Sequence, residues 1–305
     1  MSAAKKSTQV EVGGRQLSLS NLDKVLYPAV GFTKGQVIDY YARVAPTLVR
    51  HATGRPMTLK RYPNGVDDKF FFEKNCPSHR PDFVEVAPVW SGHSKRTINF
   101  CLVNEVATVV WLANMAALEL HASLAVAPAI DQPTAVVFDL DPGPPAGLAE
   151  CCEVALSIRE LLDHLELETV VKTSGQKGMQ LYVPLNTPAT YNDTKPFALT
   201  VAQYMERQHP NLVVSNMAKD VRTGKVFIDW SQNDEHKTTV QVYSLRATER
   251  PMVSTPISWE EVEAGDPDAL RFDSDAVLDR IDRLGDLFAP FVELRQALPD
   301  LTPAT

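Results

Sequence analysis

The segment Ala135–Val136–Val137–Phe138–Asp139–Leu140–Asp141–Pro142–Gly143 joins an apolar run to a closing Pro-Gly turn. Such a pattern is typical of a short buried strand. Side chains alternate between the two faces of a strand, so Asp139 and Asp141 should point to the same side. This pair favours a hard divalent cation such as Mg2+ or Mn2+, because the two carboxylates repel each other without one. A solvated Asp-x-Asp that closes a strand into a turn is the plainer alternative.

The 305-residue chain has the composition of an ordinary globular protein, with 44% hydrophobic and 22% charged residues. Its apolar runs fall short of the roughly 20 residues of a membrane span, and Met1–Thr8 lacks the apolar core of a signal peptide. The four cysteines, Cys76, Cys101, Cys151 and Cys152, form no C-x-x-C pair. We therefore expect neither a zinc site nor a disulfide framework, and we predict a protein of the reducing cytoplasm with no membrane partner.

Charge is distributed unevenly along the chain, whose formal net charge is −8. There are ten basic and three acidic residues from Met1 to Arg61, but four basic and twelve acidic residues from Glu260 to Thr305. The basic segment Met1–Arg61 is suited to binding phosphates. The simpler alternative is that the two segments only form solvated surfaces of opposite charge.

The aromatic segment Phe70–Phe72 follows the basic segment. It is either a buried aromatic strand or an exposed platform on which bases stack.

Local patterns predict helices and strands that alternate without a strict βαβ rhythm, which favours an α/β protein with mixed sheets. Thr33 is the predicted N-cap of a helix that ends at Gly54, and Asp193 the predicted cap of a helix that runs to His209. We also predict a hairpin over 10–19, strands over 57–62, 169–173, 179–185, 226–230 and 238–245, helices over 103–121 and 148–164, irregular chain over 75–97 and acidic helices from 257 onward.

A third aspartate, Asp229, interrupts the apolar strand predicted over 226–230. An unpaired charge there would cost several kcal/mol. One satisfied core aspartate would account for it, but a third ligand beside Asp139 and Asp141 explains it better. Three carboxylates on adjacent strands can hold two metal ions about 3.5–4 Å apart.

The turn Thr173–Gly178 contains the groups that bind a triphosphate. Its glycines let backbone N–H groups approach phosphate oxygens, Ser174 adds a hydroxyl donor and Lys177 adds a charge. Taken alone, most turns of this composition are only hairpins. Lys237 and Arg246, near the last predicted strand, are further candidate phosphate ligands.

Together these residues resemble the polymerase domain of bacterial ligase D, within the archaeo-eukaryotic primase superfamily. The similarity covers almost the whole chain, as a single domain over residues 1–305 with frayed ends at 1–8 and 299–305. It implies a primase-like catalytic core in which an α/β module packs on an RRM-like module around a central cleft. The matching motifs are Ser20–Pro28, Thr33–Gly35, Gly54–Pro56, Lys60–Gly65, Phe71–Lys74, Leu118–His121, Val137–Gly143, Thr173–Gly178, Asp229–Asn233, Lys237–Thr239 and Tyr243–Arg246.

The resemblance implies template-directed nucleotidyl transfer that fills short gaps, with a preference for ribonucleotides, in DNA break repair by non-homologous end joining. It implies that Asp139, Asp141 and Asp229 are catalytic and bind two Mn2+ or Mg2+ ions. The residues implied to bind the incoming nucleotide are Lys60, His121, Ser174, Lys177, Gly178, Gln180, Gln232, Lys237 and Arg246. Those implied to bind DNA are Phe71 and Phe72 on the template, and Asn21, Lys24 and Lys34 on the 5′-phosphate beyond the gap. The implied partners are gapped or 5′-phosphorylated DNA, NTPs and dNTPs, Ku and a separate DNA ligase, at the bacterial nucleoid.

The chain departs from the family at Gln180, where a histidine that contacts phosphate is usual. Gln180 can donate a hydrogen bond but carries no charge, so the departure bears on nucleotide affinity and metal preference more than on reaction type. Because the chain ends after the polymerase-like region, we expect a stand-alone enzyme or an excised domain. Two alternatives remain: a phosphatase of the haloacid dehalogenase type, whose first aspartate is a nucleophile, and a non-catalytic module that binds and bridges DNA ends.

Overall fold

The computed structural model describes residues 7–92 and 94–299, which form two compact units built from discontinuous segments. Unit 1 contains the described residues through Ala122 together with Val240–Val253 and Asp273–Arg283, and unit 2 contains Ser123–Thr239, Ser254–Phe272 and the described residues from Leu284 onward. Most of the predicted frayed ends, 1–6 and 300–305, lie outside the described residues, whereas Ser7 and Thr8 belong to the first strand.

Unit 1 begins with a hairpin, as predicted, and contains a sheet with the strand order β9–β5–β8–β7, in which β6 also pairs with β5. Its elements are β1 (Ser7–Val12), β2 (Arg15–Ser20), β3 (Val25–Tyr27), β4 (Phe32–Thr33), α1 (Lys34–Ala52), β5 (Met57–Arg61), β6 (Phe71–Glu73), β7 (Val86–Ser91), β8 (Arg96–Cys101), α2 (Val106–Asn114) and β9 (Ala117–Ala122).

Helix α1 begins at the residue that the sequence predicts. Thr33 Oγ1 accepts a hydrogen bond from Gln36 N, and Gln36 Oε1 accepts one from Thr33 N, so two otherwise free donors are satisfied. The apolar stripe of the helix is buried, and the Tyr41 hydroxyl donates to the carbonyl of Leu118 at 2.6 Å. The helix is thereby fixed to strand β9.

The long apolar helix predicted over 103–121 is wrong in its second half. Helix α2 ends at Asn114, and Ala116 adopts a φ of 56°, after which the chain forms β9. Both faces of β9 are almost wholly buried, so its sequence has no polar period that distinguishes a strand from a buried helix. His121 therefore lies on a strand, in which Glu119 is paired with Lys60 of β5.

Two further expectations for unit 1 are wrong. The segment expected to be irregular over 75–97 contains β7 and the start of β8, which pair antiparallel. Cys76 and Cys101 form a disulfide, although their separation of 25 residues matches no motif. The contact comes from tertiary pairing: Cys101 closes β8, and Cys76 N donates to the carbonyl of Asn99 in the same strand at 2.6 Å.

Unit 2 is organised around a mixed sheet with the strand order β13–β14–β10–β12–β11–β16, in which only the β13–β14 pair is parallel among the described pairings. The remaining elements, in chain order, are β10 (Ala135–Pro142), α3 (Leu148–His164), β11 (Val170–Thr173), β12 (Met179–Pro184), α4 (Tyr191–Gln208), β13 (Val213–Val214), β14 (Val226–Asp229), β15 (Thr239–Val240), β16 (Pro256–Ile257), α5 (Trp259–Ala264), α6 (Ser274–Leu284) and α7 (Pro290–Glu293). Of these elements, β15 is the edge strand beside β9 in the sheet that contains β5, and helix α6 belongs to unit 1 up to Arg283.

Strand β10 has the predicted alternation. Phe138 and Leu140 are fully buried in a core that includes residues of α3 and α4, whereas Asp139 is half-buried and Asp141 is exposed. The two aspartates therefore share the face opposite to these helices. Because the strand has hydrogen-bonded neighbours on both sides, its position in the middle of the sheet is fixed.

Most other predictions for unit 2 are confirmed. Helix α3 covers the predicted residues, β11, β12 and β14 end within one residue of theirs, and the free Cys151 and Cys152 are buried in α3. Thr190, rather than Asp193, is the N-cap of α4, and Asp193 accepts from Thr190 N as its capping-box partner. The strand predicted over 238–245 shortens to β15, and the acidic end is helical in α5, α6 and α7.

Within the described part of the chain, no helix is both long and apolar enough to cross a membrane.

Candidate functional site

The three predicted metal ligands meet on the sheet of unit 2. In the register of β10 and β14, Asp139 is directly opposite Asp229, and Asp141 follows two residues later on the same face. One carboxylate oxygen of each residue lies within 4.8 Å of an oxygen of the other two. This set of hard oxygen donors fits Mg2+ or Mn2+.

Asp229 is held in place by the short turn that follows it. Ser231 N donates to Asp229 Oδ1 at 3.0 Å, and Gln232 Nε2 donates to Oδ2 at 2.9 Å. The Ser231 hydroxyl also contacts Oδ1 and, on its other side, the ammonium of Lys237. Two of the residues predicted to bind nucleotide, Gln232 and Lys237, therefore lie next to the aspartate cluster.

Burial and the neighbouring carboxylates disfavour the charged form of Asp139. Burial, followed by the charges of Asp141 and Asp229, raises the pKa of Asp139 to about 7, although a hydrogen bond from Gln180 acts in the opposite direction. A divalent cation would relieve this repulsion. The residues present therefore fit a metal centre in their charge as well as in their donor atoms.

Gln180 is brought next to this centre, together with a lysine that the sequence reasoning missed. Gln180 Nε2 donates to Asp139 Oδ1 at 3.1 Å, and Lys172 Nζ donates to Gln180 Oε1 at 2.6 Å. Lys172 is 1% exposed. The available signal was a charged residue inside an otherwise apolar strand, the same signal that identified Asp229.

The predicted phosphate turn packs directly on strand β10. A Cβ at Gly178 would lie 2.0 Å from the carbonyl oxygen of Leu140, so only glycine permits this approach. Ser174 N donates to the carbonyl of Gly178 at 2.9 Å, and Gly175 has a φ of 71°. Lys177 is exposed at the tip of the turn.

Unit 1 gathers three other predicted residues around one buried carboxylate, that of Glu119. Lys60 Nζ lies 3.2 Å from Glu119 Oε1, and His121 Nε2 and Arg246 Nε lie 3.0 and 3.4 Å from Oε2. The Tyr62 hydroxyl and Ala247 N also donate to Oε1. We call this group the Glu119 cluster.

Charge holds the Glu119 cluster together. Burial alone would raise the pKa of Glu119, but the hydrogen bond from His121 and the charges of Arg246, His121 and Lys60 lower it well below its usual range. Burial lowers the pKa of His121, against the effect of Glu119. In the sequence analysis Glu119 occurs only within the motif Leu118–His121. The signal that could have identified it is a charged residue, two positions before His121, in a buried strand.

The aromatic segment after β5 is exposed, so it is not the buried aromatic strand that was one of its two interpretations. The side chains of Phe71 and Phe72 are 44% and 58% exposed. The guanidinium of Arg61 lies 5.1 Å from the ring centre of Phe71, and the ring of Phe72 contacts the imidazole of His121 edge-on at 6.4 Å. Phe72 therefore borders the Glu119 cluster.

The residues predicted to bind the 5′-phosphate lie at the start of α1. Lys34 N donates to the carbonyl of Lys24 at 2.7 Å, and Asn21 has a φ of 56° in the turn that precedes Lys24. Lys24 Nζ contacts Asn64 Oδ1 at an exposed position, whereas the Lys34 side chain is buried and donates to the carbonyl of Ser20. The segment thus combines a helix N-terminus with an exposed lysine.

A protein-family model that matches most of the chain identifies its family. The family model described as LigD, primase-polymerase domain, matches residues 33–288. The chain belongs to this family. Membership makes it a nucleotidyltransferase of the primase-polymerase type with a primase-like fold, and the phosphatase alternative is wrong.

Several LigD proteins are similar to the chain. The multifunctional non-homologous end joining protein LigD of Mycolicibacterium smegmatis is 43% identical over 277 residues, which cover 90% of this chain and 36% of that protein. The bifunctional LigD of Bacillus subtilis is 32% identical over 93% of this chain and 45% of its own length. The chain thus spans less than half of these relatives.

A solved structure is similar over nearly its whole length. The polymerase domain of Mycobacterium tuberculosis ligase D in complex with DNA has a TM-score of 0.85 and 41% sequence identity, over 93% of this chain and 99% of that one. The predicted family and fold class are therefore confirmed.

Proposed function

We propose that the chain extends a primer on a DNA template by two-metal nucleotidyl transfer and fills short gaps, with a preference for ribonucleotides. The observation that carries the proposal is the convergence of Asp139, Asp141 and Asp229 from two paired strands. Two bound Mn2+ or Mg2+ ions would activate the primer 3′-hydroxyl and neutralise the leaving pyrophosphate.

The chain's own groups would bind and orient the triphosphate. Ser174, Lys177 and Gly178 form a tight turn in which Gly178 N donates to Ser174 Oγ, and the exposed ammonium of Lys177 suits phosphate oxygens. Gln232 and Lys237 lie beside Asp229. In unit 1, Lys60, His121 and Arg246 are the candidates for the remaining nucleotide contacts, and Gln180 is a further one. These assignments agree with the charge that a nucleotide carries.

The same unit contains candidate DNA contacts. Exposed Phe71 and Phe72 are suited to stacking on template bases, because stacking tolerates any base. Lys24, exposed beside the N-terminus of α1, is suited to a 5′-phosphate on the far side of the gap, and Asn21 and Lys34 are further candidates, of which Lys34 already donates to the carbonyl of Ser20. The neighbour in complex with DNA supports a DNA substrate.

The relatives' names support a proposal for the repair pathway. Because they are non-homologous end joining proteins, we propose that this chain acts in the same pathway, in the cytoplasm at the nucleoid, with Ku and a DNA ligase as partners. A non-catalytic end-bridging module would need the phosphate contacts but not the three aspartates.

The decisive experiment is extension of a primer across a short gap whose far end carries a 5′-phosphate. NTPs and dNTPs are compared with Mn2+, with Mg2+ and with EDTA. We expect extension that depends on the metal and is faster with NTPs. DNA binding without extension under every condition would favour the bridging module.

A further inference from the structure

A row of polar side chains crosses the sheet of unit 2, although its members come from four different strands. The register pairs Asp229 with Asp139, Asp139 with Gln180, and Gln180 with Lys172. Directly opposed residues of paired strands point to the same face. Gln180 therefore lies between the carboxylates of the metal centre and a buried ammonium.

The contacts of Gln180 determine which end of its amide faces Asp139. Lys172 Nζ lies 2.6 Å from Gln180 Oε1, and an ammonium can only donate, so the oxygen must face Lys172. The Tyr182 hydroxyl donates to the same oxygen at 3.0 Å. The amide nitrogen Nε2 is thus directed at Asp139 Oδ1, 3.1 Å away.

Burial makes this arrangement rigid. Gln180 and Lys172 are 3% and 1% exposed, so water competes weakly for their hydrogen bonds. Lys172 Nζ is fixed from a second side by Ser254 Oγ at 2.7 Å. The orientation of the Gln180 amide is therefore set by strand β11 and the segment that leads into β16.

We propose that Gln180, with its amide oriented by Lys172, is a positioning residue that holds the Asp139 carboxylate in line with Asp141 and Asp229 for metal binding. The proposal rests on the proposed two-metal function and adds a role that acts on a metal ligand rather than on the nucleotide. A neutral donor restrains the carboxylate without adding positive charge that would repel the ion. Partners that orient metal ligands typically change metal affinity about 10–100-fold.

The test compares Lys172→Met with Lys172→Met/Gln180→Leu. These two variants differ only at residue 180, and neither leaves a buried ammonium without its acceptor. In Lys172→Met the Tyr182 hydroxyl still donates to Gln180 Oε1, which keeps Nε2 directed at Asp139. Mn2+ binding is measured from the electron paramagnetic resonance signal of the free ion, without DNA or nucleotide, and folding is measured by thermal unfolding. We expect the double variant to bind Mn2+ at least about 10-fold more weakly than Lys172→Met, with melting temperatures within about 4 °C of each other.

A second variant, Gln180→His, tests the requirement for a donor. One imidazole nitrogen can donate to Asp139 while the other accepts from Lys172, so we expect Mn2+ affinity within about threefold of the unaltered chain, well inside the loss that removal of such a partner causes. Equal affinities in the matched pair, or a loss in Gln180→His as large as in the double variant, would overturn the role of Gln180. Absence of Mn2+ binding in the unaltered chain would overturn the metal centre itself.

Discussion

The two units place carboxylates in opposite electrostatic surroundings. In unit 2, Asp139 lies beside two further carboxylates, and burial together with their repulsion raises its pKa to about 7. In unit 1, Glu119 lies among three basic side chains, whose hydrogen bond and charges lower its pKa despite deep burial. A cation from outside would relieve the repulsion in the first site, whereas the second contains its own cations.

This difference shows that the role of a carboxylate depends on the charges of the side chains around it. The aspartate cluster should respond most to a divalent ion and should affect activity. The Glu119 cluster should respond most to the loss of its single negative charge and should affect stability and the arrangement of Lys60, His121 and Arg246.

The largest expected effect is that of Asp139→Asn on primer extension. The change removes one anionic ligand and keeps the size of the side chain, so extension should fall at least about 100-fold, the scale of losing one preorganised stabiliser of transition-state charge. Binding to the gapped duplex, measured by fluorescence anisotropy, should be retained. Asp163→Asn, at a largely exposed position of α3, is the control and should leave extension unchanged. Full activity of Asp139→Asn would contradict the proposal that Asp139 is a metal ligand.

The next effect is that of Glu119→Gln on stability. Loss of the buried carboxylate leaves Lys60 and Arg246 without their counter-charge, which should lower the free energy of unfolding by about 3 kcal/mol in urea titrations. Glu105→Gln removes a partly exposed pair with Arg15 and should cost less than about 1 kcal/mol. Equal costs in the two variants would mean that burial does not distinguish the Glu119 cluster.

The pH dependence of stability tests the lowered pKa of Glu119. The folded pKa of Glu119 lies below its ordinary value of 4.5, so its contribution is present in full above that pH and is lost as the pH falls through the lower folded value. The stability difference between the unaltered chain and Glu119→Gln should therefore be constant near neutral pH and shrink below about pH 4.5. A difference that grows on acidification would contradict the lowered pKa.

The smallest effect is expected at the border of the Glu119 cluster. Phe72→Leu removes an exposed ring suited to base stacking, which should weaken binding of a gapped template by about 1 kcal/mol, the lower end of what one base contributes. Trp90→Leu removes another exposed ring of unit 1, from strand β7, and should have no effect on the same anisotropy assay. Equal losses would indicate nonspecific contacts of exposed aromatic residues.

Sequence reasoning succeeded wherever a local pattern sufficed. The capping box at Thr33, the extent of α3 and the alternation around Asp139 each depend on residues within a few positions of one another. It also placed Asp229 beside Asp139 and Asp141, as the structure shows, because a charge in an apolar strand needs a compensating partner.

It failed where the outcome depends on distant segments. The run over 103–121 divides into a helix and a strand only because β9 pairs with β5, and Cys76 meets Cys101 only through the strands around them. The role of Glu119 as the centre of a cluster was missed for the same reason. None of these pairings leaves a short-range period in the sequence.

The sequence by itself determined which residues are candidates for chemistry: the aspartates of β10 and β14 and the glycine-rich turn. The tertiary structure alone decided which of them meet, because cross-strand register sets Asp139 opposite both Asp229 and Gln180. A shift of register by one residue would turn these side chains to opposite faces, so the site depends on a sheet-wide pairing that no local pattern encodes.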